Sequence, residues 1–526
     1  MNRNEPAPAT NRRWPHRGGS FDALMDARPE ESPVSAPADD EVIARVEAVS
    51  ICSSDIKVVR MGAAHPLFGA GAGKVDTVLG HEVCLRVHAV GRDQRARFRP
   101  GQRLALQPAM VVAGRRSIIG MDQPGGFAQF LRLGPEALAG YVLDAPETVS
   151  AAAIALLEPY GCVERAWRQN VRCALKPGGR ALVVAAPDAD FDLPQPPDWA
   201  ETVAVGPLPG FLRGRKVTHV ESLDAVSGAF DDIIALGALS ADDLSRAVAR
   251  LAVDGLLLQG RTAPSPGPVA LDPARVHYDR LSFLGTRDRN LEAALAPEAR
   301  RFDARPGGVA LIHGAGGAMG RIHVHRLLQL PDGPTTVIAS SRKGQRLNDI
   351  AADFGALAAA NGRRLVVADA GDLAATVARH APGGLDDAVV VAPDLEAMRA
   401  AASWLAPDGL LALFAGFPYG QSLDFDLSAV ALSGCRLTGS TGCSLDDMRD
   451  VLARVEGGSL DLSANIAAVA GLDALPQALR AVADGAVSGK IIVYPQRPGL
   501  RLSPVRGWNM TDEQGLTGWQ EREENP

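Results

Sequence analysis

Several things are scarce in this 526-residue chain, and each scarcity excludes something. Six cysteines, at positions 52, 84, 162, 173, 435 and 443, are too few and too scattered for a disulfide framework, and a reducing cytoplasm is the expected compartment. They form no close CxxC…CxxC set, so a four-cysteine structural zinc lobe is excluded. The net charge is -7 and no long basic run offsets it, which argues against nucleic acid and anionic membranes as partners. No apolar run reaches the roughly 18–20 residues of a membrane helix. Residues 1–19 carry arginine but no apolar core, so a secretory signal is not expected.

What is present is an ordinary globular composition, 46% hydrophobic and 22% charged, long enough for two or three domains. Residues 1–40, rich in Pro, Ala and charge, predict a partly disordered tail. Residues 41–175 begin with β-like runs (EVIARVEAVS, EVCLRVHAVG, QRLALQPAMVV) and end in a helical stretch around LLEPYGCVERAW. An internal repeat follows. KPGGRALVVAAPDAD at Lys176 matches RPGGVALIHGAGGAMG at Arg305, and FDDIIALGA…VDGLLLQGR…LSFLGTRD matches LDDAVVVAPD…PDGLLALFAG…CRLTGSTG. Both copies alternate short apolar strands with helical segments. Residues 176–304 and 305–440 therefore predict tandem doubly wound parallel sheets of the Rossmann kind. Residues 441–497 predict helices and a closing strand, and 498–526 a polar tail with two tryptophans.

Two chemistries stand out. Cys52 in SICSSDIK, His81-Glu82 in LGHEV and Glu158 in LLEPYGC are the thiolate, imidazole and carboxylate types that a catalytic zinc ion takes. Cys162, one helical turn beyond Glu158, reads as a core residue and is the substitute ligand if Glu158 is not one. The second is the turn GAGGAMG, which follows strand-like VALIH and precedes a helix. Gly314, Gly316, Gly317, Met319 and Gly320 there form a dinucleotide fingerprint. The next strand ends in Ser340, Ser341, Arg342 and Lys343 rather than an acidic residue, which favours the 2′-phosphate of NADP(H) over NAD(H). Ala392 and Gly416 end later strands near the expected nicotinamide. His323 and His325, two apart on the following helix, face different sides and are not a metal pair. In the first copy the fingerprint reads APDAD. Pro187 removes an amide donor, and Asp188 and Asp190 repel phosphate, so that copy is expected to be degenerate and to serve packing, a lid or an interface.

These motifs, in this order, resemble the zinc-containing medium-chain dehydrogenase/reductase family, most closely its sorbose-1-phosphate reductase branch. ICSSDIK looks like the family's Cys-Gly-Ser-Asp signature, LGHEV like its Gly-His-Glu segment, EPYGCV like the Glu-Pro segment of its polyol branch, and SGKIIVYP like its C-terminal segment. The resemblance covers about 41–180 and 305–497; the first copy has no counterpart in an ordinary member. It implies a GroES-like catalytic domain interrupted by the nucleotide domain, with Cys52, His81, Glu82 and Glu158 around zinc. It also implies Asp55 behind the metal and Ser54 as the hydroxyl that relays a proton. The expected activity is zinc-dependent, NADP(H)-linked interconversion of a ketone and a secondary alcohol on a polyhydroxylated small molecule, a ketose phosphate or cyclitol. Lys57 and Arg60 either neutralise a substrate phosphate or form a solvated charged face. The alternatives are a secondary-pathway alcohol dehydrogenase with a phosphate-free substrate, or a lyase or epimerase that retains NADP. Homodimers or homotetramers are the family's assemblies.

Overall fold

In the computed structural model, which describes residues 10–68, 77–296 and 301–523, the chain forms two units. One runs to Glu164 and resumes at Gly442; the other is Arg165–Thr441. The first unit opens with β1 (Thr10–Arg13) and β2 (Glu30–Pro33), an antiparallel pair. β3 (Val42–Ser50) follows, with nearly every side chain buried; its β-branched residues suit a central strand. Next come α1 (Ser53–Met61), β4 (Glu82–Val90), β5 (Arg103–Leu106), β6 (Phe130–Leu133) and β7 (Val142–Asp144), then α2 (Ala151–Ala155) and α3 (Leu157–Ala166).

The second unit holds the repeat. Its first copy contributes β8 (Arg180–Ala185), β9 (Glu201–Val205), β10 (Thr218–Val220), β11 (Phe230–Leu236) and β12 (Leu251–Gly260). β13 (Val269–Leu271), α4 (Pro273–Tyr278) and β14 (Ser282–Thr286) complete it. The second copy contributes β15 (Val309–His313), α5 (Ala318–Gln329), β16 (Thr336–Ser341), β17 (Arg364–Asp369), β18 (Leu385–Val390) and β19 (Leu405–Leu413). β20 (Leu423–Phe425), α6 (Ser428–Leu432) and β21 (Arg436–Gly439) close it. Each copy makes a six-stranded parallel sheet, in the orders β10-β9-β8-β11-β12-β14 and β17-β16-β15-β18-β19-β21. Numbered within each copy, both read 3-2-1-4-5-6, the doubly wound order with its ligand crevice beyond the carboxyl ends of the strands. The copies share details as well as topology. Buried Asp232 accepts from Arg172 (2.6 Å) and the Lys176 amide (2.8 Å), as buried Asp387 does from Arg301 (2.5 Å) and the Arg305 amide (2.8 Å).

The chain then returns to the first unit through β22 (Ile466–Gly471), β23 (Lys490–Tyr494), β24 (Ser503–Pro504) and α7 (Met510–Glu523). The eight-stranded sheet of that unit runs β7-β5-β4-β3-β23-β22-β24, with β6 also on β3.

Over the described residues both ends of the chain pack within the first unit. Residues 10–40 are folded: Trp14 is buried and its indole N–H donates to Leu472 O at 2.6 Å, while Asn11 exchanges two hydrogen bonds with the Phe130 backbone. The short polar strands alone could not hold this segment; a buried indole with its N–H satisfied can. Residues 1–9 lie outside the described residues. The C-terminal segment docks through Glu513, which accepts from the Ala151 and Ala152 amides at the start of α2 (2.8 and 3.0 Å) and from Tyr494 Oη (3.1 Å). A carboxylate at a helix N-terminus satisfies orphan amides there.

Candidate active site

The first unit gathers its chemistry at one end of its sheet. β3 runs antiparallel to both neighbours, with Ser50 opposite Glu82 on β4 and Ile492 on β23. The end of β3, the start of β4 and the start of β23 therefore meet. Cys52 is the N-cap of α1, and Asp55, at the third helical position, reaches back to the Cys52 amide at 2.9 Å. The other Asp55 oxygen accepts from the Gly80 amide at 3.2 Å and lies 3.8 Å from His81 Nδ1. Asp55 thus ties the Cys52 turn to the His81 segment. It is fully buried, and burial pushes its carboxyl above the usual range.

As a result Cys52, His81 and Glu82 offer ligand atoms that all lie within 4.8 Å of one another. Burial alone would lower the His81 pKa, but the Cys52 sulfur, Asp55 and Glu158 raise it well above the ordinary imidazole value. Glu158, in the first turn of α3, is placed in an adjoining group with Cys162 and Cys443, again within 4.8 Å. The Cys162 thiol donates to Glu158 Oε1 at 3.2 Å, as an i, i+4 pair on one helix face can. Burial raises the Glu158 pKa, with Glu82 adding to it and His81 and Lys490 opposing.

Two members of this cluster carried no signal of their own in the sequence. Lys490 is buried, and its ammonium donates to both Glu82 oxygens at 2.5 and 2.7 Å. Burial would lower its pKa, yet Glu82 and Cys52 hold it raised. Only strand register brings it there. Cys443 arrives from the far side of the second unit in sequence, so no local spacing could connect it with Glu158. Ser54 Oγ is buried without a hydrogen-bond partner. Lys57 and Arg60 are exposed, and Arg60 donates to Ala483 O at 3.2 Å.

The residues fit a zinc ion. Sulfur, imidazole nitrogen and carboxylate oxygen converge, and His81 Nδ1 is buried without a hydrogen-bond partner. Cys52 and His81 would be two ligands, with Glu82 or Glu158 the carboxylate; a carboxylate held by Lys490 still has free acceptor lone pairs.

In the second unit, β15 turns through Gly314–Gly317 into α5, whose N-cap is Gly317. Gly314 has φ +90°, and a Cβ there would stand 2.7 Å from the Ala392 amide nitrogen. A Cβ on Gly320 would stand 2.3 Å from Gly314 O, and one on Gly316 2.7 Å from Ser341 Oγ. Only glycine closes this turn against its neighbours. Met319 lies in the first turn of α5, half-buried. The end of β16 splits the predicted specificity residues: Ser341 lies beside Gly316, Arg342 and Lys343 are exposed, and Ser340 is fully buried. Gly416 lies in the loop after β19. His323 accepts from Trp167 Nε1 at 3.1 Å while His325 stacks on Phe354, so the two histidines do face different ways.

The first copy departs further than its glycine losses indicated. No helix lies between β8 and β9; residues 186–200 run as turns and irregular chain. The α5 counterpart, the helix whose amides would hold a pyrophosphate, is absent there. Phe191 instead packs over the end of β12, where a Cβ on Gly260 would meet its ring at 2.7 Å.

Against known proteins, residues 38–144 match the alcohol dehydrogenase GroES-like domain. The chain is 29% identical over 170 residues to L-sorbose 1-phosphate reductase of Klebsiella pneumoniae, covering 30% of this chain and 42% of that protein. It is 31% identical over 166 residues to L-galactonate-5-dehydrogenase of Escherichia coli, covering 29% and 44%. The chain thus spans less than half the length of these curated relatives. A zinc-binding dehydrogenase of Sinorhizobium meliloti, solved bound to NADP, superposes with a TM-score of 0.53 at 15% identity, covering 93% of this chain and 100% of that one. Residues 38–144 thus carry a GroES-like domain of the alcohol dehydrogenase type, and the solved zinc-binding dehydrogenase shares the fold of the chain. The GroES-like match falls on the part of the first unit that carries Cys52, His81 and Glu82, and the parallel sheets account for the nucleotide-domain fold. No helix among the described residues is long and apolar enough to cross a membrane.

Proposed function

We propose that this protein is a zinc-dependent, NADP(H)-linked oxidoreductase that interconverts a ketone and a secondary alcohol on a polyhydroxylated small molecule. The observation that carries this reading is the Cys52–His81–Glu82 cluster tied together by Asp55, in a chain whose second nucleotide fold keeps a sterically obligatory glycine turn. Zinc, when bound, supplies Lewis-acid polarisation of the carbonyl oxygen, and NADP(H) supplies or accepts the hydride. Cys52 and His81 hold the metal position, and Asp55 fixes their spacing. Lys490 balances the charge of Glu82 and keeps it oriented. Ser54 presents an unpartnered hydroxyl that can hand a proton to the substrate oxygen. In the second copy, Gly314–Gly317 and the start of α5 receive the pyrophosphate. Ser341 and the exposed cations Arg342 and Lys343 receive a 2′-phosphate.

The polyol class rests on the relatives, which act on L-sorbose 1-phosphate and L-galactonate by name. Fluorescence titration with NADPH and NADH, followed by a screen of ketoses, ketose phosphates and cyclitol ketones for nicotinamide absorbance change, tests the reading. Tight NADPH binding with ketone-dependent NADPH oxidation is expected. Failure of both dinucleotides to bind would overturn it.

A further inference from the structure

The two copies meet through equivalent segments. β13 pairs antiparallel with β20 in the register Val269↔Phe425, Ala270↔Asp424, Leu271↔Leu423. An offset of 154 residues carries Gly285 onto Gly439 and, equally, β13 onto β20. Ala270 therefore faces its own counterpart, and its two neighbours face each other's. The flanking contacts obey the same exchange. α6 of the second copy packs on β14 of the first, and α4 of the first on β21 of the second. A Cβ on Gly285 would stand 2.9 Å from Ala431 Cβ; one on Gly439 would stand 2.8 Å from the Cα of His277, the counterpart of Ala431. Contact of i with j′ and j with i′ defines the two-fold interface of a homodimer. Here one chain supplies both sides.

The exchange is broken in one direction only. The two ends of α4 grip the loop 414–420 that follows β19 in the second copy. The Tyr278 hydroxyl lies 2.3 Å from where a Cβ on Gly416 would be. Tyr419 Oη donates to Asp279 Oδ1 at 3.0 Å, and the Gly420 amide donates to Asp272 Oδ2 at 2.8 Å. The Tyr278 and Tyr419 rings lie 5.7 Å apart. The counterparts of Tyr278 and Asp279 on the second copy are Leu432 and Ser433, which cannot make the same grip. The gripped loop lies at the carboxyl end of strand five, the edge where ligands of such sheets bind.

We propose that the first copy is a tethered stand-in for a second subunit, and that through α4 it sets the loop 414–420 at the nicotinamide end of the second copy, with Tyr278 as a positioning residue. The positioning role rests on the NADP(H) reading above; the grip itself does not. A double-mutant cycle on the full chain tests both. Gly416 is not in the left-handed region, and among described atoms only Tyr278 obstructs a Cβ there. Gly416→Ala is expected to lower the melting temperature and to weaken NADPH binding roughly tenfold, as overpacking does. Adding Tyr278→Phe removes the obstructing hydroxyl and is expected to restore both. Restoration of neither overturns the proposal. Restoration of melting without affinity overturns the positioning role. If the wild-type chain binds no dinucleotide, the NADP(H) reading and the positioning role fall together, and rescue of melting alone still decides whether α4 grips the loop.

Discussion

The two nucleotide folds of this chain share strand order and buried aspartates, yet only the second keeps the glycine turn and the helix that follows it. In the second copy Gly314, Gly316 and Gly320 let β15, α5 and β16 approach to distances that forbid a side chain. In the first copy the helix is missing and Phe191 packs over the sheet end. The sheet is thus held by its strands and hydrophobic core, and the turn and helix at its edge can be lost without losing the fold. The first copy nevertheless contacts the second through its own strand β13.

The sharpest way to break this comparison is outside both copies. Cys52→Ser or His81→Ala is expected to reduce turnover by about a thousandfold or more while leaving the NADPH dissociation constant within about threefold, because the metal cluster and the glycine turn belong to different units. Steady-state kinetics with parallel titrations measure this; equal loss of binding would contradict it. Next are matched changes in the two copies. Gly320→Ala should weaken NADPH binding by roughly a hundredfold. Phe191→Ala should cost about 2 kcal/mol of stability in denaturant unfolding and leave NADPH affinity unchanged.

A smaller effect separates the cofactors. Arg342→Ala should weaken NADPH by about 2 kcal/mol, close to thirtyfold, and leave NADH binding as it was. The last concerns acid. His323, packed between Trp167 and Phe414, has its pKa lowered to about 3 by burial, with Arg326 adding to it. Below the unfolded value the unfolded chain binds a proton that the folded chain refuses. Stability therefore falls as pH drops from about 6.5 toward 3, by at most about 1.4 kcal/mol per pH unit from this group. His323→Gln should flatten that slope in melting curves taken between pH 6 and 4; an unchanged slope would refute the assignment.

Much of this was legible in the chain. The repeated PGG-strand and DGLL segments gave both sheets, and GAGGAMG after an apolar strand marked the working turn. ICSSDIK and LGHEV marked the cluster because Asp55 acts locally, three residues from Cys52. What was not legible depends on register or on tertiary contact. Lys490 reaches Glu82 only because β23 lies beside β3, and Cys443 reaches Glu158 only after the chain has traversed the whole second unit. The N-terminal strands are polar and short, and the buried Trp14 indole and the Asn11–Phe130 hydrogen bonds that anchor them are tertiary contacts. The missing helix of the first copy had a signal that was available: Pro187, Pro194, Pro196 and Pro197 deny the crossover the amides and angles a helix requires.

The most direct test is the stoichiometry of NADPH binding by calorimetry on the full chain and on Gly320→Ala. The two-copy account predicts one NADPH per wild-type chain, held about a hundredfold more weakly in the variant. Two per chain, or one held as tightly in Gly320→Ala as in the wild type, would contradict it.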